Sequence, residues 1–146
     1  MIYCISDRFY ETRFYMDTMV SKHPLYQALL MEHYRTPRNK GELPTYTIAG
    51  SSYNSSCGDV LSIQAIVEDD TIKVVMFQGK GCIISQAAGS LLTEKVTGMA
   101  LLDIMAFSAQ DMQKLLTIEL GPTRLRCALL ALESLQQAIS KYRKVG

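Results

Sequence analysis

No two cysteines of this 146-residue chain form a CxxC pair, which excludes the usual zinc-ribbon and zinc-finger spacings. No apolar run approaches the roughly 20 residues that a membrane-spanning helix needs, so no membrane association is expected. Charge of one sign is also missing. The formal net charge is +1, and a nucleic-acid binder would carry a basic field that this chain lacks. The opening "MIYCISDRFYETRFYMDTMV" has acidic residues near its start and no continuous apolar segment, unlike a secretory signal. A cytoplasmic location is the default expectation. No internal repeat or low-complexity segment interrupts the chain. Hydrophobic residues make up 48% and charged residues 20%, which argues against wholesale disorder.

The length suits one packed domain, expected over residues 21–146, with enough chain to bury a core without staples. Residues 1–20 read as an N-terminal extension. A short extra helix, a disordered tail and a start mis-assigned upstream of Met19 are all open there, and Cys4 shares that status.

From "HPLYQALLMEHYRTPRNKG" the spacing predicts a helix over 24–35. Pro24 suits its first turn, Leu25, Ala28, Leu29 and then Glu32 or His33 follow helical spacing, and Pro37 with Asn39–Gly41 stops it. Three strands follow, "TYTIAG" (45–50), "VLSIQAIV" (60–67) and "TIKVVMFQ" (71–78). The acidic turn Glu68–Asp70 brings the last two close enough for an antiparallel hairpin.

"CIISQAAGSLLTEKVTG" (82–98) reads as a helix with Gly98 just past its end. Its small centre, Ala87–Ser90, would allow close approach to a sheet. "SAQDMQKLL" (108–116) opens on a capping-box pattern, Ser108 with Asp111. The last and longest helix, "GPTRLRCALLALESLQQAISKYRK", puts Leu125, Ala128, Leu129, Leu132, Leu135 and Ile139 on one face.

Cys57, Cys82 and Cys127 fall at comparable places, each near the junction of two elements. Helix N-termini bias thiols toward thiolate, because the helix dipole favours negative charge there. With Asp59 the three make a possible four-ligand set, of a kind that zinc accepts; iron–sulfur clusters are likewise held by thiolates. A hard carboxylate oxygen among soft sulfurs holds a thiophilic cluster less firmly than a fourth cysteine, so it suits a site that receives and releases its cluster.

Such a set carries more negative charge than one zinc ion neutralises. Lys80, Arg124 and Arg126 lie one to three residues from a candidate ligand and could offset the remainder, or be solvated surface charges. Taken singly, each cysteine reads equally as a small buried hydrophobe, Cys127 beside "ALLAL" above all. Asp59 reads equally as a turn residue after Gly58. His33 reads as a packing or hydrogen-bonding residue of the first helix, and His23 as loop surface. Spacing and composition alone establish a small α/β protein with a possible thiolate metal site.

With these segments assembled, the chain resembles the iron–sulfur cluster assembly scaffold family of the IscU/SufU/NifU N-terminal type, from about Leu25 to Tyr142. "LLMEHYRTPRNKGEL" is similar to the family's opening segment. "NSSCGD", "FQGKGCIIS" and "RLRCALLALESL" are similar to its three ligand motifs, in order. The resemblance implies an α+β fold, a three-stranded antiparallel sheet packed by helices, with the metal site at one exposed end. It implies that Cys57, Asp59, Cys82 and Cys127 hold a transient [2Fe–2S] cluster, or Zn2+ in its place.

The implied partners are a pyridoxal-phosphate cysteine desulfurase, which supplies persulfide sulfur, and the apo iron–sulfur proteins that receive the cluster. The implied role is an assembly scaffold rather than an enzyme. The alternative is a zinc-dependent sulfur acceptor that stimulates the desulfurase, with Cys57, on a loop, as the persulfide-accepting residue. A plain structural zinc domain is a third reading.

Three departures bear on subtype. The IscU type carries a histidine where this chain has Arg126, and an "LPPVK" chaperone-recognition segment where this chain reads "LGPTR". The resemblance therefore does not extend to the specialised Hsp70 and J-protein chaperones. The SufU type, which "GKGCIIS" resembles, has an insertion between its second and third cysteines that is absent here.

Overall fold

The computed structural model describes residues 24–55 and 58–145. Cys4, His23 and the N-terminal extension lie outside the described residues. Strands β1 (Ile48–Asn54), β2 (Asp59–Glu68) and β3 (Thr71–Lys80) form one antiparallel sheet in the order β1-β2-β3. Helices α1 (Pro24–Arg35), α2 (Ile83–Val96), α3 (Leu101–Met105), α4 (Ala109–Leu116) and α5 (Pro122–Val145) pack with it. The α+β architecture is the expected one. No helix among the described residues is long and apolar enough to cross a membrane.

Strand β2 alternates as a half-buried strand should, with Asp59, Leu61, Ile63, Ala65 and Val67 inward. On β3 the inward residues are Ile72, Val75 and Phe77, a broken alternation. Its cause is a register shift at Ile66/Val67, where Ile66 faces Val74 and Val67 faces Ile72. Lys73 is the extra residue, and it moves the buried face from one parity to the other. Asp69 and Asp70 both have positive φ, 53° and 56°, the geometry that matches a tight turn to the twist of its strands.

The first strand runs later than expected. Ser51 and Ser52 lie beyond the expected strand 45–50, but with Gly50 they pair with Ser62, Leu61 and Ile63 of β2. That pairing, with α5 packed against β1, overrides weak local propensity and carries the strand to Asn54.

Helix α2 is buried on nearly every side, from Ser85 to Thr93. At Gly89 an added Cβ would lie 2.7 Å from the Phe77 ring, so the small centre does permit close seating on the sheet. Helix α5 buries Ala128, Leu132, Leu135 and Ile139, as its pattern predicts, and also Leu130, Ala131 and Ala138. Ser108 caps α4 and the full capping box with Asp111 is present. Helix α3 was not expected. It has five residues and no side-chain cap at Ala100, so nothing local announces it.

Helix α1 docks through Leu30 and His33, whereas Ala28 is exposed. Its buried stripe is therefore rotated from the expected one, because the helix is fixed by polar contacts as well as apolar ones. Ser90 Oγ accepts the backbone N–H of Arg38 at 2.8 Å and lies 2.7 Å from His33 Nδ1. The Arg38 guanidinium, which can only donate, also approaches Nδ1 at 3.4 Å, so Nδ1 acts as the acceptor and the Ser90 hydroxyl proton can be directed at it. Burial, and then the nearby Arg38 guanidinium, hold the His33 pKa below its ordinary value, while Glu94 and Glu32 oppose this more weakly.

Two outcomes test these contacts. Gly89→Ala should cost about 1–3 kcal/mol in urea unfolding, since the fully buried Phe77 ring has nowhere to retreat; an unchanged midpoint would contradict it. For His33 the unfolded chain binds the proton more readily than the folded one. Its contribution is then complete above the unfolded pKa of about 6.5 and is lost as pH falls through the lower folded value. The wild-type urea midpoint should drop between about pH 7.5 and about pH 5.5 by more than that of His33→Gln.

Candidate metal centre

Three chain segments meet at one end of the sheet. Asp59 is the first residue of β2 and pairs across the ladder with Asn54, the last residue of β1. The connection between them is a short loop in which Gly58 has φ +75° and donates its N–H to the Asn54 carbonyl at 2.8 Å. Cys57 belongs to this loop and lies outside the described residues. Cys82 is the N-cap residue of α2, in extended conformation and exposed. Cys127 stands on the second turn of α5 and is 4% exposed, deeper than a junction position would suggest.

The structure brings three of the four expected residues together. One ligand atom each from Asp59, Cys82 and Cys127 lies within 4.8 Å of the others. Donors around one tetrahedral zinc, with metal–sulfur bonds of about 2.3 Å, stand about 3.5–3.8 Å apart. A contraction of about 1 Å therefore suffices for a single ion. Two sulfurs and one carboxylate oxygen suit zinc or a thiolate-held iron–sulfur cluster, and neither set is suited to magnesium or calcium.

The backbone holds this corner in shape. The Cys82 N–H donates to Asp59 Oδ2 at 3.4 Å, so the positive end of α2 faces the buried carboxylate. Ser85 Oγ donates to the Cys82 carbonyl at 3.1 Å. Gly81 explains the glycine before Cys82, since an added Cβ would lie 2.3 Å from Ser85 Oγ and 2.8 Å from Asp59 Cγ. The Asn54 side-chain amide donates to Cys127 Sγ at 3.6 Å. Sequence reasoning missed Asn54, Gly81 and Ser85. Gly81 carried the one usable signal, a second glycine in "FQGKGC" with no turn to require it.

Lys80, Arg124 and Arg126 are exposed, so none of them is buried against the carboxylate or the sulfurs. Tyr53 is 65% exposed and Val60 39%; they are cross-strand partners on the outer face of the sheet, opposite to the buried pair Asn54 and Asp59.

Residues 25–145 match the family model of the NifU-like N terminal domain. The chain is 33% identical over 125 residues to the iron sulfur cluster assembly protein 1 of Trachipleistophora hominis, covering 82% of this chain and 87% of the relative. It is 27% identical over 134 residues to the zinc-dependent sulfurtransferase SufU of Bacillus subtilis (strain 168), covering 80% and 90%. The fold is shared with a solved structure from Fervidobacterium islandicum AW-1, a putative iron-sulfur cluster assembly scaffold protein for the SUF system. There the TM-score is 0.67 at 24% identity, over 76% of this chain and 93% of that one.

Gly81→Ala should push Asp59 and Ser85 out of place and weaken zinc retention by about 10- to 100-fold, the usual cost of disturbing the groups behind a metal site. Competition with a chromophoric chelator measures this. Wild-type retention would show that the Asp59 corner is not part of the site.

Proposed function

The chain belongs to the NifU-like N-terminal domain family, and from that premise we propose that it is a scaffold on which a [2Fe–2S] cluster is built and from which the cluster passes to apo-proteins. The observation that carries the reading is the convergence of Asp59, Cys82 and Cys127 within 4.8 Å at one end of the sheet. Cys57, on the loop before β2, completes the ligand set.

Sulfur arrives as a persulfide on a cysteine desulfurase. The Cys57 thiolate attacks the terminal sulfur, a new S–S bond forms on Cys57, and the desulfurase thiolate leaves. We assign this exchange to Cys57 because it precedes the strand in the chain, whereas Cys127 is buried in a helix. Building the cluster from ferrous iron reduces each transferred sulfur to sulfide. The iron supplies half of the electrons by becoming ferric, and a thiol reductant supplies the rest. Asp59 supports release of the product, since its hard oxygen binds the thiophilic cluster less firmly than a fourth sulfur.

A second reading is a zinc-dependent sulfur acceptor that stimulates the desulfurase. It is favoured by the likeness to the Bacillus subtilis sulfurtransferase and by Arg126 in place of a histidine. Zinc on the same four residues would keep the thiolates deprotonated until one of them takes the persulfide.

Anaerobic reconstitution with ferrous iron, cysteine, a thiol and a desulfurase, followed by visible absorption, separates the two. The wild type should develop a [2Fe–2S] spectrum that Cys82→Ser loses and Asp59→Ala retains for longer. Absence of a cluster, with tightly held zinc and several-fold faster desulfurase turnover, would replace the scaffold by the sulfur acceptor.

A further inference from the structure

Asn54 is 2% exposed, an unusual place for an amide at the end of an edge strand. A buried amide is stable only when its hydrogen-bonding groups are used, a demand that an apolar side chain would not make. Its Nδ2 lies 3.6 Å from Cys127 Sγ, and Cys127 is itself 4% exposed. Only the amide's NH2 end can face a thiolate, because a carbonyl oxygen would set two acceptors against each other. A hydrogen bond to a charged acceptor is also stronger than one between neutral groups.

The position of Asn54 is set by the ladder that sets Asp59. The two are cross-strand partners, and the Asn54 carbonyl accepts Gly58 N–H at the other side of the loop. One residue thus links the loop before β2, the carboxylate ligand and the third sulfur.

We propose that Asn54 is a positioning residue of the metal centre, whose amide N–H holds the Cys127 sulfur in place as the standing corner of the ligand set. It does not bind the metal. It fixes the direction of the Cys127 thiolate and engages one of its lone pairs, so that the remaining lone pairs face Asp59 and Cys82. Cys82, exposed at the rim, is left as the more exchangeable sulfur. This inference rests on the metal-site reading given above.

The test uses cobalt(II), whose thiolate charge-transfer band reports sulfur ligation, and zinc retention against a chromophoric chelator. Asn54→Leu keeps the branching at Cγ and removes the donor, while Asn54→Ala removes both. Each should weaken metal binding by about 10- to 100-fold and lower the charge-transfer intensity of the cobalt protein, with folding checked by circular dichroism. A loss confined to Asn54→Ala would assign Asn54 to packing and overturn the proposal. Should Asn54→Leu not fold, an unchanged band in Asn54→Ala would overturn it as well. A wild-type protein with no cobalt–thiolate band, unaffected by Cys82→Ser, would remove the metal-site reading and the proposal with it. A wild-type band that persists in both variants would remove the proposal alone.

Discussion

Gly89 lets α2 lie directly on the Phe77 ring of β3, and the placement of the candidate site follows from that contact. A larger residue would lift the helix from the sheet. With the helix seated low, its first residues sit beside the start of β2, where the Cys82 N–H reaches the Asp59 carboxylate. Helix α5 covers the other strands and brings Cys127 to the same end. The site is thus a product of layer spacing: sheet, α2 and α5 each contribute one group, and none of the three could be placed by its own element alone.

The electrostatics of the corner follow a simple order. Negative groups gather there, and donors face two of them: the end of α2 for Asp59 and the Asn54 amide for Cys127. Basic side chains stay at the exposed rim, where water screens them and an approaching protein can meet them. Donors that do not move preserve the geometry, and charges that can move adapt to whatever docks.

At the other side of α2 the logic differs. Ser90, His33 and the Arg38 backbone form a buried polar joint that ties α1 and the following loop to the central helix. That loop then pairs with the edge of β3, with Phe77 N–H donating to Asn39 and Gly41 N–H donating to Phe77. The same phenylalanine therefore supports α2 with its ring and the loop with its backbone. The sheet edge is covered instead of left open to another chain.

Much of this was legible in the residues. Helix α1 starts and ends where Pro24 and Pro37 predict, the Ser108 capping box forms, and the β2–β3 hairpin and the low seating of α2 follow from local composition. These features depend on short-range sterics and hydrogen bonds, which a few neighbouring residues specify completely. The extension of β1 to Asn54, the short helix α3 and the rotated face of α1 were not legible, because each is decided by a partner distant in the chain; nor was the phase slip at Lys73, within the hairpin itself. The motif cysteines and Asp59 could be named from sequence, but their convergence could not, nor could the burial of Cys127 or the role of Asn54. Chain order fixes which groups are available. Only the packing of three separate segments fixes the distances between them, and distance decides whether two sulfurs and a carboxylate are a metal centre or three unrelated side chains.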